Sequence, residues 1–130
     1  MPRVLVLVEH EDGAVKKVTY EMLTKARSLG DPVALFVGQG VDGGREGLAR
    51  HGAAAVYTAA ADNRLAGPLT DALELAAQRA EPAAVLVAAT PLGKEAGARL
   101  AARKGWGMLA DVVDLDDDLV ATQNVFGGAM

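Results

Sequence analysis

Cysteine is absent from this 130-residue chain, so disulfides, thiolate nucleophiles and Cys-ligated metals are excluded. Nothing in that inventory opposes a reducing compartment, and a cytoplasmic location is expected. Aromatic residues make up only 4% of the chain, so its 51% hydrophobic content rests on Ala, Val and Leu, which suits close packing of helices on a sheet. Serine occurs once, as Ser28 within a helical pattern, and histidine twice, at His10 and His51. A serine nucleophile set between glycines and a paired-histidine metal site are therefore both missing. No apolar run is long enough for a membrane span, and Val4 to Val8 is too short even for a signal segment. A basic surplus is lacking too. Seventeen acidic and thirteen scattered basic residues give a net charge of -4, which argues against nucleic acid as a partner.

The length suits one domain. Apolar runs at Val4 to Val8, Val33 to Val37, Ala54 to Tyr57, Ala84 to Ala88 and Leu109 to Leu115 mostly lack polar alternation, as do strands covered on both faces. Helical spacing separates them, most clearly in Leu69, Ala72, Leu73, Ala76, Ala77 and Ala80, which share one face. The result is a βαβ rhythm.

The spacing predicts a first helix over Thr19 to Leu29, capped by Thr19, lined by Met22, Leu23, Ala26 and Leu29, and ended by a left-handed Gly30. Asp31-Pro32 launches the second strand. A short helix is predicted from Gly44 to His51, ending at Gly52 and weakened by Gly43, Gly44 and Gly47. Gly67-Pro68 opens the third helix and Glu81-Pro82 closes it, because proline drives the preceding residue from helical dihedrals. Thr90 caps the fourth helix, Pro91 suits its first turn, Glu95 and Arg99 form a pair four residues apart, and Leu92, Ala96 and Leu100 face inward. Val112 to Leu115 and Leu119 to Phe126 flank Asp116 to Asp118 and predict a carboxyl-terminal antiparallel hairpin. Gly127 to Met130 reads as a hinge.

Few segments offer chemistry. Glu9-His10-Glu11-Asp12 after the first strand would repel phosphate, and Gly38-Gln39-Gly40 after the second reads as a turn, so a Rossmann fingerprint is not supported. His10 and His51 read as structural or solvent-facing. The strongest candidate is Ala88 to Glu95, in which Thr90, Gly93 and Lys94 stand at a strand-to-helix junction and could meet a phosphate or ribose. The plainer reading makes Thr90 an N-cap, Gly93 a packing gap and Lys94 a solvated charge. Trp106 suits an interface anchor or an ordinary core or edge position. Asp116 to Asp118 lacks the glycine and distal glutamate of a calcium loop and reads as an exposed turn.

The order of these segments carries a resemblance. Val4-Leu5-Val6-Leu7-Val8-Glu9-His10 with Gly13 to Thr19, Leu65-Ala66-Gly67, Ala89 to Glu95 with Ala98 to Arg103, Asp111-Val112, and Val125 to Gly128 together resemble the alpha subunit of electron transfer flavoproteins over nearly the whole chain. Pro91, Lys94 and Glu95 stand where that family usually has Ser, Arg and Asp.

The resemblance implies a three-layer, doubly wound, mostly parallel α/β sheet of the adenine nucleotide alpha hydrolase-like kind, over residues 1–126. Residues 127–130 would lead to a separate flavin-binding domain. It implies a heterodimer with a beta subunit that passes electrons from flavin dehydrogenases to an acceptor oxidoreductase. FAD would sit on the carboxyl-terminal domain and AMP in the beta subunit, with no catalysis by this domain and no flavin contact among its residues. The alternative is a free-standing adenine-nucleotide-binding sensor similar to universal stress proteins, whose loop after the fourth strand carries several glycines and hydroxyls where this chain has Gly93 and Thr90. An ATP-dependent ligase or pyrophosphatase would need a Ser/Gly-rich phosphate loop where Glu9 to Asp12 stand.

Overall fold

A computed structural model describes residues 2–104. Strand β1 (Arg3–Leu7) is followed by a two-residue hairpin of β2 (His10–Glu11) and β3 (Ala14–Val15) and by α1 (Lys17–Leu29). Then come β4 (Asp31–Val37), α2 (Val41–Arg50), β5 (Ala55–Ala59), α3 (Ala66–Ala80), β6 (Ala84–Leu86) and α4 (Pro91–Lys104). The main sheet has the order β5-β4-β1-β6 and every pairing in it is parallel.

Helices α1 and α3 both pack on β1 and β4, while α1 touches α2 and α3 touches α4. The sheet is thus sandwiched between two helical layers, as the doubly wound expectation requires. Val4 to Leu7 and Val33 to Val37 are almost wholly inaccessible, because both faces of β1 and β4 are covered. The predicted stripe of α3, from Leu69 to Ala80, is buried throughout. Strand β5 departs from expectation. It is half-buried or exposed along its length, because it pairs on one side only among the described residues.

Three local expectations are corrected by geometry. Helix α1 starts at Lys17, so Thr19 is not its cap. The Thr19 hydroxyl instead accepts the Glu9 N–H at 2.8 Å and tethers the helix to the end of β1. Gly30 caps α1 in an extended conformation, φ 169°. Glycine is needed there for space, since a β-carbon would lie 2.1 Å from the Pro2 carbonyl oxygen. Helix α2 starts at Val41, three residues before the predicted Gly44, behind a left-handed Gly40. Gly44 and Gly47 do not interrupt it, because they seat Val15 and Tyr20 against its backbone side.

The other ends follow the reading. Glu81 turns left-handed before Pro82 and stops α3, and Gly93 N–H donates to the Thr90 hydroxyl at 3.1 Å to cap α4. Trp106, the hairpin over Val112 to Phe126 with Asp116 to Asp118, and the hinge from Gly127 lie outside the described residues.

Candidate functional site

In a doubly wound sheet the chain leaves β1 toward one edge and later returns to the other, and ligands settle in the crevice outside the strand ends where that reversal occurs. Here the reversal lies between β1 and β6. Glu9 follows β1, and Thr90 stands between β6 and α4.

These two residues meet. The Thr90 hydroxyl donates to Glu9 Oε2 at 2.7 Å while accepting the Gly93 N–H, so both its hydrogen-bonding roles are used within the chain. Gly93 makes the approach possible. A β-carbon there would fall 2.4 Å from the Ala88 carbonyl oxygen and 3.0 Å from Glu9 Oε2. The main chain of Glu9 is held as well, its N–H by Thr19 and its carbonyl by the Lys16 N–H at 2.8 Å. Lys94, half-buried in the first turn of α4, donates its own N–H to the Thr90 carbonyl at 2.9 Å. The structure therefore brings Thr90 and Gly93 together around a carboxylate, with Lys94 next along the helix.

The space left between Glu9, His10, Leu69 and Leu92 is about 140 Å³. Small-molecule pockets typically enclose roughly 300 Å³ or more. A nucleotide phosphate in this crevice would also face the Glu9 carboxylate. Sequence reasoning saw Glu9 as a repelling charge but missed its bond to Thr90, which spans 81 residues and has no local signature.

A wider cleft of about 550 Å³ opens beside it, between the β2–β3 turn, Gly38-Gln39 and the loop Asp62 to Arg64. His10 organises its floor. Its ring is buried and stacks on Phe36 with centroids 3.8 Å apart. Because the Gly13 N–H can only donate and the Val37 carbonyl can only accept, Nδ1 accepts the first at 3.1 Å and a protonated Nε2 donates to the second at 2.7 Å. Asn63 Nδ2 donates to the His10 carbonyl at 3.2 Å and joins the third loop to the network.

The dipeptide Asp12-Gly13 was the available signal for this hairpin. Both residues have positive φ, 49° and 93°, as a tight primed turn demands. On the rim the Arg64 guanidinium hydrogen-bonds Asp62 and holds its carboxyl below the usual carboxylate range, and the same pairing raises Arg64. His51 lies elsewhere, with Nδ1 2.8 Å from the Gly47 carbonyl at the end of α2. No group of three or more His, Asp or Glu side chains converges as a metal site among the described residues, and no helix there is long and apolar enough to cross a membrane.

Residues 4–130 match the family model described as the electron transfer flavoprotein domain. The chain belongs to the electron transfer flavoprotein family. Similar family members named electron transfer flavoprotein subunit alpha come from Mycobacterium leprae (strain TN), 50% identical over 98% of this chain, and from Mycobacterium tuberculosis (strain CDC 1551 / Oshkosh), 48% identical over 99%. Protein FixB of Clostridium saccharobutylicum is 37% identical over 96%. The chain spans about two-fifths of the length of these relatives, 42%, 42% and 41% respectively. The family name implies a flavin, yet the described residues do not fit one at the switch point: the crevice is only about 140 Å³, and the Glu9 carboxylate is bonded across it to Thr90.

Proposed function

We propose that this chain is the amino-terminal scaffold domain of an electron transfer flavoprotein alpha subunit, a non-catalytic part of an electron carrier. In this reading residues 1–126 form the domain and 127–130 lead to a flavin-binding domain that holds FAD. The assembly is a cytoplasmic heterodimer with a beta subunit carrying AMP, and it passes electrons from flavin dehydrogenases to an acceptor oxidoreductase.

The names of the relatives and the family match support the subunit assignment. The scaffold role rests on one observation, the Glu9–Thr90 hydrogen bond across the switch point. A carboxylate and a capped helix end occupy the place where this architecture otherwise receives a phosphate, and Thr90, Gly93 and Lys94 serve the fold there. The nucleotide-sensor alternative is not favoured, since it needs that crevice open.

Co-expression of the full-length gene product with its beta subunit tests the proposal. A co-purifying pair with the visible absorbance of bound flavin is expected, while the 130-residue chain alone remains colourless and shows no calorimetric heat with ATP or AMP. A full-length product that neither pairs nor binds flavin would refute the assignment, and flavin or tight nucleotide binding by the 130-residue chain would refute the scaffold role.

A further inference from the structure

One side of α3 is left open by the order of the sheet. The helix packs on β1 and β4 and against α4 beside it, while β5 lies past its other flank, at the sheet edge among the described residues. Between α3 and β5 runs a groove of about 470 Å³, lined by Leu35, Tyr57, Ala72 and Ala76. Leu75 stands at it 62% exposed.

A lone exposed leucine is ordinary on a protein surface. Its neighbours make this one informative. Asp71 and Arg79 line the same groove, four residues before and four after Leu75. That spacing puts the three side chains on one ridge of the helix, with a charge about 6 Å along the axis on either side of the leucine. The order acid, apolar, base is its own complement when reversed. A second α3, laid antiparallel about a two-fold axis at Leu75, sets leucine on leucine and each Asp71 opposite the other copy's Arg79. Both charges are open to such a contact. Arg79 is exposed and makes no ion pair among the described residues. Asp71 accepts Arg103 Nη1 on Oδ1 at 2.8 Å, but its side chain stays 69% exposed, and Oδ2 has no donor among the described residues.

We propose that this α3 face is a self-association surface, through which two copies of the chain pair antiparallel with Leu75 at the axis. A closed two-fold interface presents the same patch twice, so the partner's surface is the one just described. Opposite charges on either side of an apolar centre are what self-pairing requires, since a patch of one sign would repel its copy. A contact of fewer than three helical turns is small beside stable interfaces of about 1,200 Å² or more, so the association is weak and depends on concentration. The pairing counts copies of this chain whatever else each carries, and is independent of the flavoprotein assignment.

Sedimentation velocity tests it on the full-length gene product, with its beta subunit where the two co-purify, in about 0.05 M salt and from about 10 µM to about 1 mM protein. The assembly is expected to double in mass over that range. Asp71→Arg sets arginine against arginine and Arg79→Asp sets aspartate against aspartate, so each alone weakens the doubling roughly tenfold or more. Mixed in equal amounts, these two variants pair with each other, because each then meets the opposite charge at both positions. Leu75→Glu removes the pairing without touching Arg103, and Glu21→Lys on the exposed side of α1 leaves it unchanged. Circular dichroism and melting temperature verify that each variant is folded, and should Asp71→Arg fail that check, Leu75→Glu and Arg79→Asp decide. A wild-type assembly that stays single throughout, doubling that survives Leu75→Glu or Arg79→Asp, or a mixture of the folded charge variants that stays single overturns the inference. Loss of the beta subunit in folded Leu75→Glu, in place of loss of doubling, gives the face to that subunit and overturns it too.

Discussion

Thr90 shows how much one hydroxyl can do. It caps α4 through Gly93 and ties that helix to β1 through Glu9. Thr90→Ala removes the cap and leaves a half-buried carboxylate without its donor, so a loss of about 2 kcal/mol is expected in urea denaturation, with Thr90→Ser recovering most of it. His10 holds three segments at once. His10→Ala leaves the Gly13 N–H and the Val37 carbonyl unpaired and opens a gap beside Phe36, for an expected loss of about 3 kcal/mol in the same measurement. Asp62 makes a prediction about pH. Its folded-state titration, followed by carboxyl carbon NMR, should fall below the ordinary carboxylate range and return toward it in Arg64→Ala. A group depressed in this way stabilises the fold above its unfolded pKa and loses that contribution as pH falls through the folded value. The contribution is small, because the pair faces solvent.

At the scale of elements, the ends of helices were only partly legible. Pro82, Thr90 and Pro91 act through their own backbone neighbours, and the ends they mark lie where expected. Thr19 and Gly30 were misread because their roles depend on remote strands, Thr19 on Glu9 and Gly30 on Pro2. This correction is testable. A left-handed cap would favour Asn over Ala at position 30, whereas the close approach of Pro2 predicts that Gly30→Ala and Gly30→Asn both destabilise, Asn at least as much, by about 1–3 kcal/mol in chemical denaturation. Helix α2 also shows that glycines can be present for packing, since Gly44 and Gly47 admit Val15 and Tyr20 at a cost in helix propensity of roughly 1 kcal/mol each.

For the whole molecule, the sheet order places β1 and β4 between neighbours on both sides and between helices on both faces. Their amides should exchange slowest in native-state hydrogen exchange, and those of β5, half-exposed on one edge, faster. Equal protection across the three strands would mean that β5 is covered in solution by something beyond the described residues. Arg103 adds a link between the outer helices, reaching Asp71 at 2.8 Å and Glu74 at 3.2 Å across α3 and α4. The pairing raises Arg103 and is exposed, so it orients the two helices more than it stabilises them.

By itself the sequence determined the alternation of strand and helix, the buried stripe of α3 and the ordered set of segments that marks the family. These features are written in periods of a few residues and in dipeptides, where backbone sterics and apolar spacing act locally. Only the tertiary structure decided that Glu9 closes on Thr90, that His10 is sealed beneath a turn, and that Leu75 is left exposed at a groove beside β5. Each of those depends on chain segments brought together by burial of β1 and β4, and a hydrogen bond across 81 residues leaves no periodic trace in the order of amino acids.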